Sequence, residues 1–254
     1  MKPKNLGAAL LAMALPFVAG AGTPVDMEVL DRQTGRVLPV YWHDGDRHVA
    51  GEPGREYEIR LRNRGDCRVL AVTSVDGVNV ITGRTASPAQ SGYVLDPWGV
   101  VEIDGWRKSM EEVAAFYFTA LPDSYAARTG RPDNVGVIGV ALFRERIRPM
   151  PMDDYLARAE SAPPAAGASA EARASSRQSA RDAEESRLGT GHGRRVDSGA
   201  AYTDFERASS EPEEIIRIYY DSRRNLVARG IIPSPGHFAG RVPEPFPSAF
   251  VPDP

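Results

Sequence analysis

Residues 57–81 read YEIRLRNRGDCRVLAVTSVDGVNVI, and this stretch decides the fold. Tyr57, Ile59 and Leu61 alternate with Glu58, Arg60 and Arg62, the period of a strand with one face on a core and one in water. Arg64-Gly65-Asp66 then turns the chain into an apolar run at 69–75. Asp76-Gly77 is a two-residue hairpin signal, because a type I′ turn needs positive φ at both central residues, which Asp tolerates and Gly permits. Residues 78–81 supply the partner strand. Two hairpins in succession describe an antiparallel β unit.

Working outward, further short apolar runs bounded by turn residues lie at 25–30, 37–42, 92–95, 100–103, 113–119 and 135–143. The last two are almost continuously apolar, as expected of strands inside a sandwich, with Gly136 and Gly139 marking close backbone approach. The expected class is mainly β, an antiparallel β-sandwich spanning 23–148.

Ahead of it, residues 1–21 form a signal-peptide pattern. Lys2 and Lys4 supply the positive end, 6–18 the apolar segment, and Ala19-Gly20-Ala21 the small-residue cleavage site. No cysteine follows that site, so the expectation is a periplasmic or secreted protein without a lipid anchor. The chain has 254 residues, with 31 basic and 34 acidic side chains and a net charge of −3, which argues against a nucleic-acid partner. No later segment is apolar enough for a membrane span. Its one cysteine, Cys67, excludes an intrachain disulfide.

After the sandwich the composition shifts to Ala, Ser, Arg and Glu, predicting a disordered linker over 149–200. Within it, Gly189-Thr190-Gly191-His192-Gly193 fits a hinge: Arg194 stands where a dinucleotide fingerprint needs its third glycine. The segment 201–254 is read as a C-terminal α-helix over about 211–229 and a Pro-rich tail. Ser210 and Glu213 make a capping box, and Gly230 a stop. Steps of 100° bring Ile215, Tyr219 and Leu226 together, with Ile216, Tyr220 and Val227 beside them, an apolar face that must dock. Seven prolines in residues 233–254 predict an extended tail.

Three groups have the chemistry of a site. In Trp42-His43-Asp44-Gly45-Asp46-Arg47-His48, a four-residue loop would make His43 and His48 cross-strand partners able to hold a metal, whereas a two-residue Asp-Gly turn would put them out of register. The long excursion 121–134 carries Tyr125, Arg128, Arg131 and Asn134, fork-shaped and polar groups suited to a carboxylate or phosphate. The alternative is that its arginines pair with Asp123 and Asp133. Trp98 and Trp106 flank 100–103 and offer, with Tyr93, an aromatic platform for a sugar or a peptide, or else core packing.

Ser91–Trp98 (SGYVLDPW) and Asp123–Glu145 (DSYAARTGRPDNVGVIGVALFRE), with the later YTDFER at 202–207, resemble a group of exported bacterial proteins of uncharacterised function. The resemblance implies export and carries no activity.

No catalytic motif stands in the chain: no GxSxG elbow, no HExxH, no cysteine with a partner motif. The sequence therefore points to an exported non-catalytic envelope module that binds a partner protein or cell-envelope polymer and requires no cofactor. The competing reading is a periplasmic hydrolase or metal-dependent enzyme using the His43/His48 hairpin.

Overall fold

In the computed structural model, residues 25–147 and 187–234 are described. The sequence expectations for the leader, for most of the linker and for the tail beyond Ser234 lie outside them. The described strands are β1 (Val25–Asp31), β2 (Arg36–Val37), β3 (Val40–His43), β4 (Asp46–Gly51), β5 (Glu56–Asn63), β6 (Val69–Val75) and β7 (Val78–Asn79). Next come β8 (Tyr93–Leu95), β9 (Val100–Ile103), β10 (Gly105–Arg107), β11 (Glu112–Ala120), the short helix α1 (Tyr125–Arg128) and β12 (Val137–Arg144). After residue 187 follow β13 (Leu188–Asp197), β14 (Glu214–Ser222) and a short helix α2 (Arg223–Ala228).

Two sheets face each other. Sheet A runs β10-β11-β5-β1-β2, with β13 on the other side of β11 and β9 on β5; sheet B runs β3-β4-β14-β12-β6-β7, with β8 on β6. All pairings are antiparallel except β14 with β4. Alternation sorts the faces: Tyr57, Ile59 and Leu61 of β5, Phe116 and Phe118 of β11, Ile138, Val140 and Leu142 of β12, and Ile216, Ile218 and Tyr220 of β14 share one core between the sheets. Tyr57 stacks on Phe118 with ring centroids 4.3 Å apart and fixes the middle of that core. The sandwich expected from residues 57–81 is present.

The C-terminal third differs from the sequence expectation. The helix over about 211–229 is a strand, β14, followed by the single turn α2. The run Glu214–Ser222 satisfies both periods: Ile215, Arg217 and Tyr219 alternate with Ile216, Ile218 and Tyr220 as well as recurring at helical spacing. What decides is the gap between β4 and β12, which a strand of β-branched and aromatic residues fills and ties by backbone hydrogen bonds on both sides. Of the four residues named for helix docking, Tyr220 lies in the core, Tyr219 and Ile215 stand on the outer face of sheet B, and Leu226 docks as part of α2. Ser222 caps α2 by accepting from the Asn225 N–H, and Leu226 packs with Ile231 and Ile232 against Tyr41 and Ala50.

Nor is the glycine run a hinge. Residues 188–197 pair with β11 along its length, so the linker reading of 149–200 fails over that part. The glycines serve close approach: a Cβ on Gly191 would collide with the ring of its cross-strand partner Tyr117. Consequently the sandwich is not complete at 148. Strands from both sides of the linker build one core, and the boundary drawn at 201 does not separate a second unit.

Between β13 and β14 the chain crosses the outer face of sheet B. Phe205 packs on Leu70, Val72, Ala141 and Phe143, and the Arg207 guanidinium sits 4.1 Å over the Phe143 ring. Phe205 and α2 thus cover the two sides of this face and leave its middle open at Tyr219.

Candidate functional site

The open part of that face ends in a cleft of about 300 Å³. Its walls come from β4 (Asp46, His48), β14 (Tyr219, Asp221), the turn before β12 (Asp133, Asn134), Arg187 ahead of β13 and Arg229 after α2. Strand register assembles the floor: Val137 pairs with Tyr219, and Tyr219 with His48. The His48 and Tyr219 rings stack at 5.5 Å. His48 is 5% exposed, and its Nδ1 has no hydrogen-bond partner among the described residues. Burial, then the Arg229 charge and His43, hold the imidazole below its ordinary pKa against the pull of Asp46, so it sits neutral at pH 7.

The charges around the cleft are unevenly satisfied. Asp221 accepts from Leu188 N (3.3 Å), Ser222 N (2.7 Å) and Asn225 Nδ2 (2.8 Å), which makes it part of the frame. Arg187 donates to the Val135 carbonyl at 2.9 Å and faces no carboxylate within ion-pair distance among the described residues. Arg229 stands 4.0 Å from Asp221 and is 57% exposed. Two guanidiniums with free N–H groups, a neutral stacked imidazole and the carboxylates of Asp46 and Asp133 therefore present mixed charge to one concave surface.

Beneath this floor lies a buried polar chain. Asp76 is fully buried, yet its Oδ1 accepts from Tyr220 Oη (2.5 Å) and Gly136 N (2.9 Å), and its Oδ2 from Thr190 N (2.8 Å). Thr190 Oγ1 lies 2.7 Å from both Tyr220 Oη and Tyr57 Oη. Four groups from β5, β13, β14 and the β6–β7 turn thus join the two sheets. Burial raises the Asp76 carboxyl to about 6, although its hydrogen bonds oppose the rise. Burial and the Asp76 charge push both tyrosines well above their ordinary value.

The sequence candidates fall in several places. Asp44-Gly45 forms a two-residue turn with φ of 51° and 84°, so His43 pairs with Asp46, and His48 with Tyr41. The two histidines are diagonal neighbours on one face with centroids 6.5 Å apart, and among the described residues no three His, Cys, Asp or Glu converge as a metal site. Asn134 reaches the cleft. Arg131 donates to the Gly83 carbonyl (3.1 Å) and to Thr129 Oγ1 (2.8 Å) and so ties the excursion down without the expected pairing to Asp123 or Asp133. Arg128 is exposed. Trp106 is a core residue, 3% exposed, with Nε1 donating to Gly191 O, and Tyr125 tilts against its ring at 4.8 Å. Trp98 does not share that platform: it is 68% exposed at φ 60°, where a bulky side chain is an outlier, and its N–H donates to Gly65 O. Sequence reading missed Tyr219, Arg187, Arg229 and Asp76 as a set. The turn at Asp76-Gly77 was legible, but its burial depends on partners as far as 144 residues away in sequence.

No protein-family model matches the chain, and no curated protein or solved structure matches it either.

Proposed function

We propose that the protein is an exported, non-catalytic envelope module that binds a partner protein or a cell-surface polymer, and that the cleft between β4, β14 and the 132–136 turn is where it binds. One observation carries this reading: the cleft holds a buried His48 nitrogen without a hydrogen-bond partner among the described residues, beside two arginines whose donors are incompletely used there. Unsatisfied polar groups on a concave surface are what a polar ligand completes. The sandwich supports such a role by holding His48 and Tyr219 on neighbouring strands, and the Tyr219 ring gives an aromatic floor for a sugar ring or a peptide plane.

The hydrolase or metal-enzyme alternative rests on His43 and His48. His43 Nε2 faces Asp44 at 3.4 Å on an exposed tip, away from any third ligand among the described residues. Binding by the full chain to washed, insoluble envelope polymer and to solubilised envelope proteins tests the proposal. The expected outcome is saturable retention that the double variant Arg187→Ala/Arg229→Ala weakens by roughly tenfold or more, the scale of lost charge-assisted hydrogen bonds. Its melting temperature should stay nearly unchanged, because exposed charges contribute little. Retention by neither fraction, or retention indifferent to both arginines, overturns the assignment. Stoichiometric zinc or copper that disappears in His43→Ala favours the enzyme.

A further inference from the structure

The hydrogen-bonded groups under the cleft have a countable proton inventory. Tyr57, Thr190 and Tyr220 bring three hydroxyl hydrogens, and three contacts link them to one another and to Asp76: Tyr57–Thr190, Thr190–Tyr220 and Tyr220–Asp76. With Asp76 ionised, one arrangement fills every contact. Tyr57 donates to Thr190, Thr190 to Tyr220, and Tyr220 to the carboxylate. A proton added to Asp76 makes four hydrogens for three contacts. If that proton is donated to Tyr220, the Tyr220 hydroxyl must turn toward Thr190, and one hydrogen of the Tyr57–Thr190 contact is left without an acceptor, since the one hydrogen-bond partner of Tyr57 Oη among the described residues is Thr190.

Two opposing effects therefore act on one carboxyl. Burial favours the neutral form, and the complete donor chain favours the charged one. The groups facing the Asp76 carboxyl are Tyr57 from β5, Thr190 from β13, Tyr220 from β14 and the backbone N–H groups of Gly136, Val137 and Thr190. No basic side chain hydrogen-bonds or ion-pairs with it among the described residues, so nothing fixes its charge outright. The near balance is reflected in a carboxyl that titrates at about 6.

We propose that Asp76, Tyr220, Thr190 and Tyr57 form a two-state, proton-ordered latch whose hydrogens run toward Asp76 when it is charged and away from it when it is neutral, with Gly136 and Tyr220 carrying the change to the cleft floor. The connection to the cleft is direct. Gly136 N donates to Asp76, Tyr220 N donates to Gly136 O at 2.9 Å, and both residues line the cleft. Gly136 holds φ of 98°, a conformation other residues rarely adopt, so this turn depends on its present backbone. The latch does not require that the cleft binds anything, and it stands or falls separately from the function proposed above.

Carboxyl-carbon NMR of the full chain labelled at aspartate, titrated from about pH 4 to 8, tests it. One aspartate should titrate near pH 6 and vanish in Asp76→Asn, and the Gly136 amide should follow the same midpoint. His48→Gln must leave that midpoint in place, which separates it from the cleft histidine. Tyr57→Phe removes the first donor without touching Asp76, so the midpoint should rise by roughly half a unit through lost polarisation along the chain. A purely structural Tyr57 would change stability and leave the midpoint fixed. Should Tyr57→Phe not fold, Thr190→Val must raise the midpoint and Thr190→Ser must keep it. No aspartate titrating above about pH 5, a midpoint indifferent to both Tyr57→Phe and Thr190→Val, or a Gly136 amide that does not follow overturns the latch.

Discussion

Asp44-Gly45 and Asp76-Gly77 are the same hairpin turn written twice. Both aspartates hold positive φ, 51° and 52°, followed by glycines at 84° and 71°. The first joins β3 to β4 at a solvent-facing tip, where the Asp44 side chain is 88% exposed. The second joins β6 to β7, and Asp76 is fully buried with donors from three other segments around its carboxyl. Identical local chemistry therefore serves as punctuation in one place and as a seam between two sheets in the other. The difference lies wholly in what the rest of the chain brings to the turn.

The largest separation between the two turns is expected from removing the carboxyls. Asp76→Ala leaves the Gly136 and Thr190 N–H groups buried without an acceptor, and each such group costs about 1–3 kcal/mol. A loss of about 3 kcal/mol at pH 5 is the expected outcome in urea unfolding. At pH 8 the loss should shrink, because the variant also removes a buried charge. Equal losses at both pH values would mean that Asp76 is already ionised in the folded protein at pH 5, its carboxyl not raised by burial.

A second contrast is in pH dependence. The folded Asp76 carboxyl titrates at about 6 against an ordinary 3.8, so its contribution to stability is fully present below pH 3.8 and lost as pH rises through 6. The difference corresponds to about 3 kcal/mol, at roughly 1.36 kcal/mol per pKa unit. Relative to Asp76→Asn, wild-type protein should gain about 1 kcal/mol more stability at pH 5 than at pH 8, because pH 5 lies only about one unit below the folded midpoint. A wild-type advantage over Asp76→Asn that grows from pH 5 to 8 would contradict a carboxyl raised by burial.

These two turns also mark how far the sequence carries. Both were legible as Asp-Gly hairpins, and so were the strands of the first half, because period-2 alternation and turn residues are local signals. What escaped was everything set by long-range partners. Residues 214–222 fit two periods, and the vacancy between β4 and β12 chose the strand. Gly189, Gly191 and Gly193 carry the composition of a hinge, and the Tyr117 ring lying across β13 gives one of them its reason. The cleft drew Asp133 and Asn134 from the long excursion and Asp46 and His48 from the histidine hairpin. The remainder came from Tyr219, Arg187 and Arg229, whose identities announce nothing until β14 is placed.

The glycines of the two turns give a finer comparison. A Cβ on Gly77 would stand 2.8 Å from Asn134 Cβ, whereas at Gly45 nothing lies within 4 Å. Gly45→Ala should therefore cost about 1 kcal/mol, the left-handed strain alone. Gly77→Ala carries the same strain and must also displace Asn134, for a total of about 2 kcal/mol. Asn134 lines the cleft, so Gly77→Ala should in addition weaken any ligand retained there, while Gly45→Ala leaves retention unchanged. Equal stability losses would show that Asn134 yields freely.

The smallest effect is expected at Asp44. Its carboxylate accepts nothing from the backbone among the described residues, and the ionisable ring beside it, His43 Nε2 at 3.4 Å, is itself 41% exposed. Water screens such a pair, and holding it in place costs side-chain entropy. The turn needs from Asp44 a tolerance of φ 51°, which alanine has to a lesser degree. Asp44→Ala should thus lower stability by about 0.5–1 kcal/mol, with the same value at pH 5 and pH 8. The residue stands next to the cleft strand β4 in sequence, which makes it a fair control: it shares the turn type, the φ angle and the side chain of Asp76 and lacks the burial. A loss at Asp44 that grows or shrinks by more than about 1 kcal/mol between those pH values would mean that the exposed tip is coupled to the histidines behind it, and that the Asp-Gly turn itself rather than its burial produces the pH sensitivity.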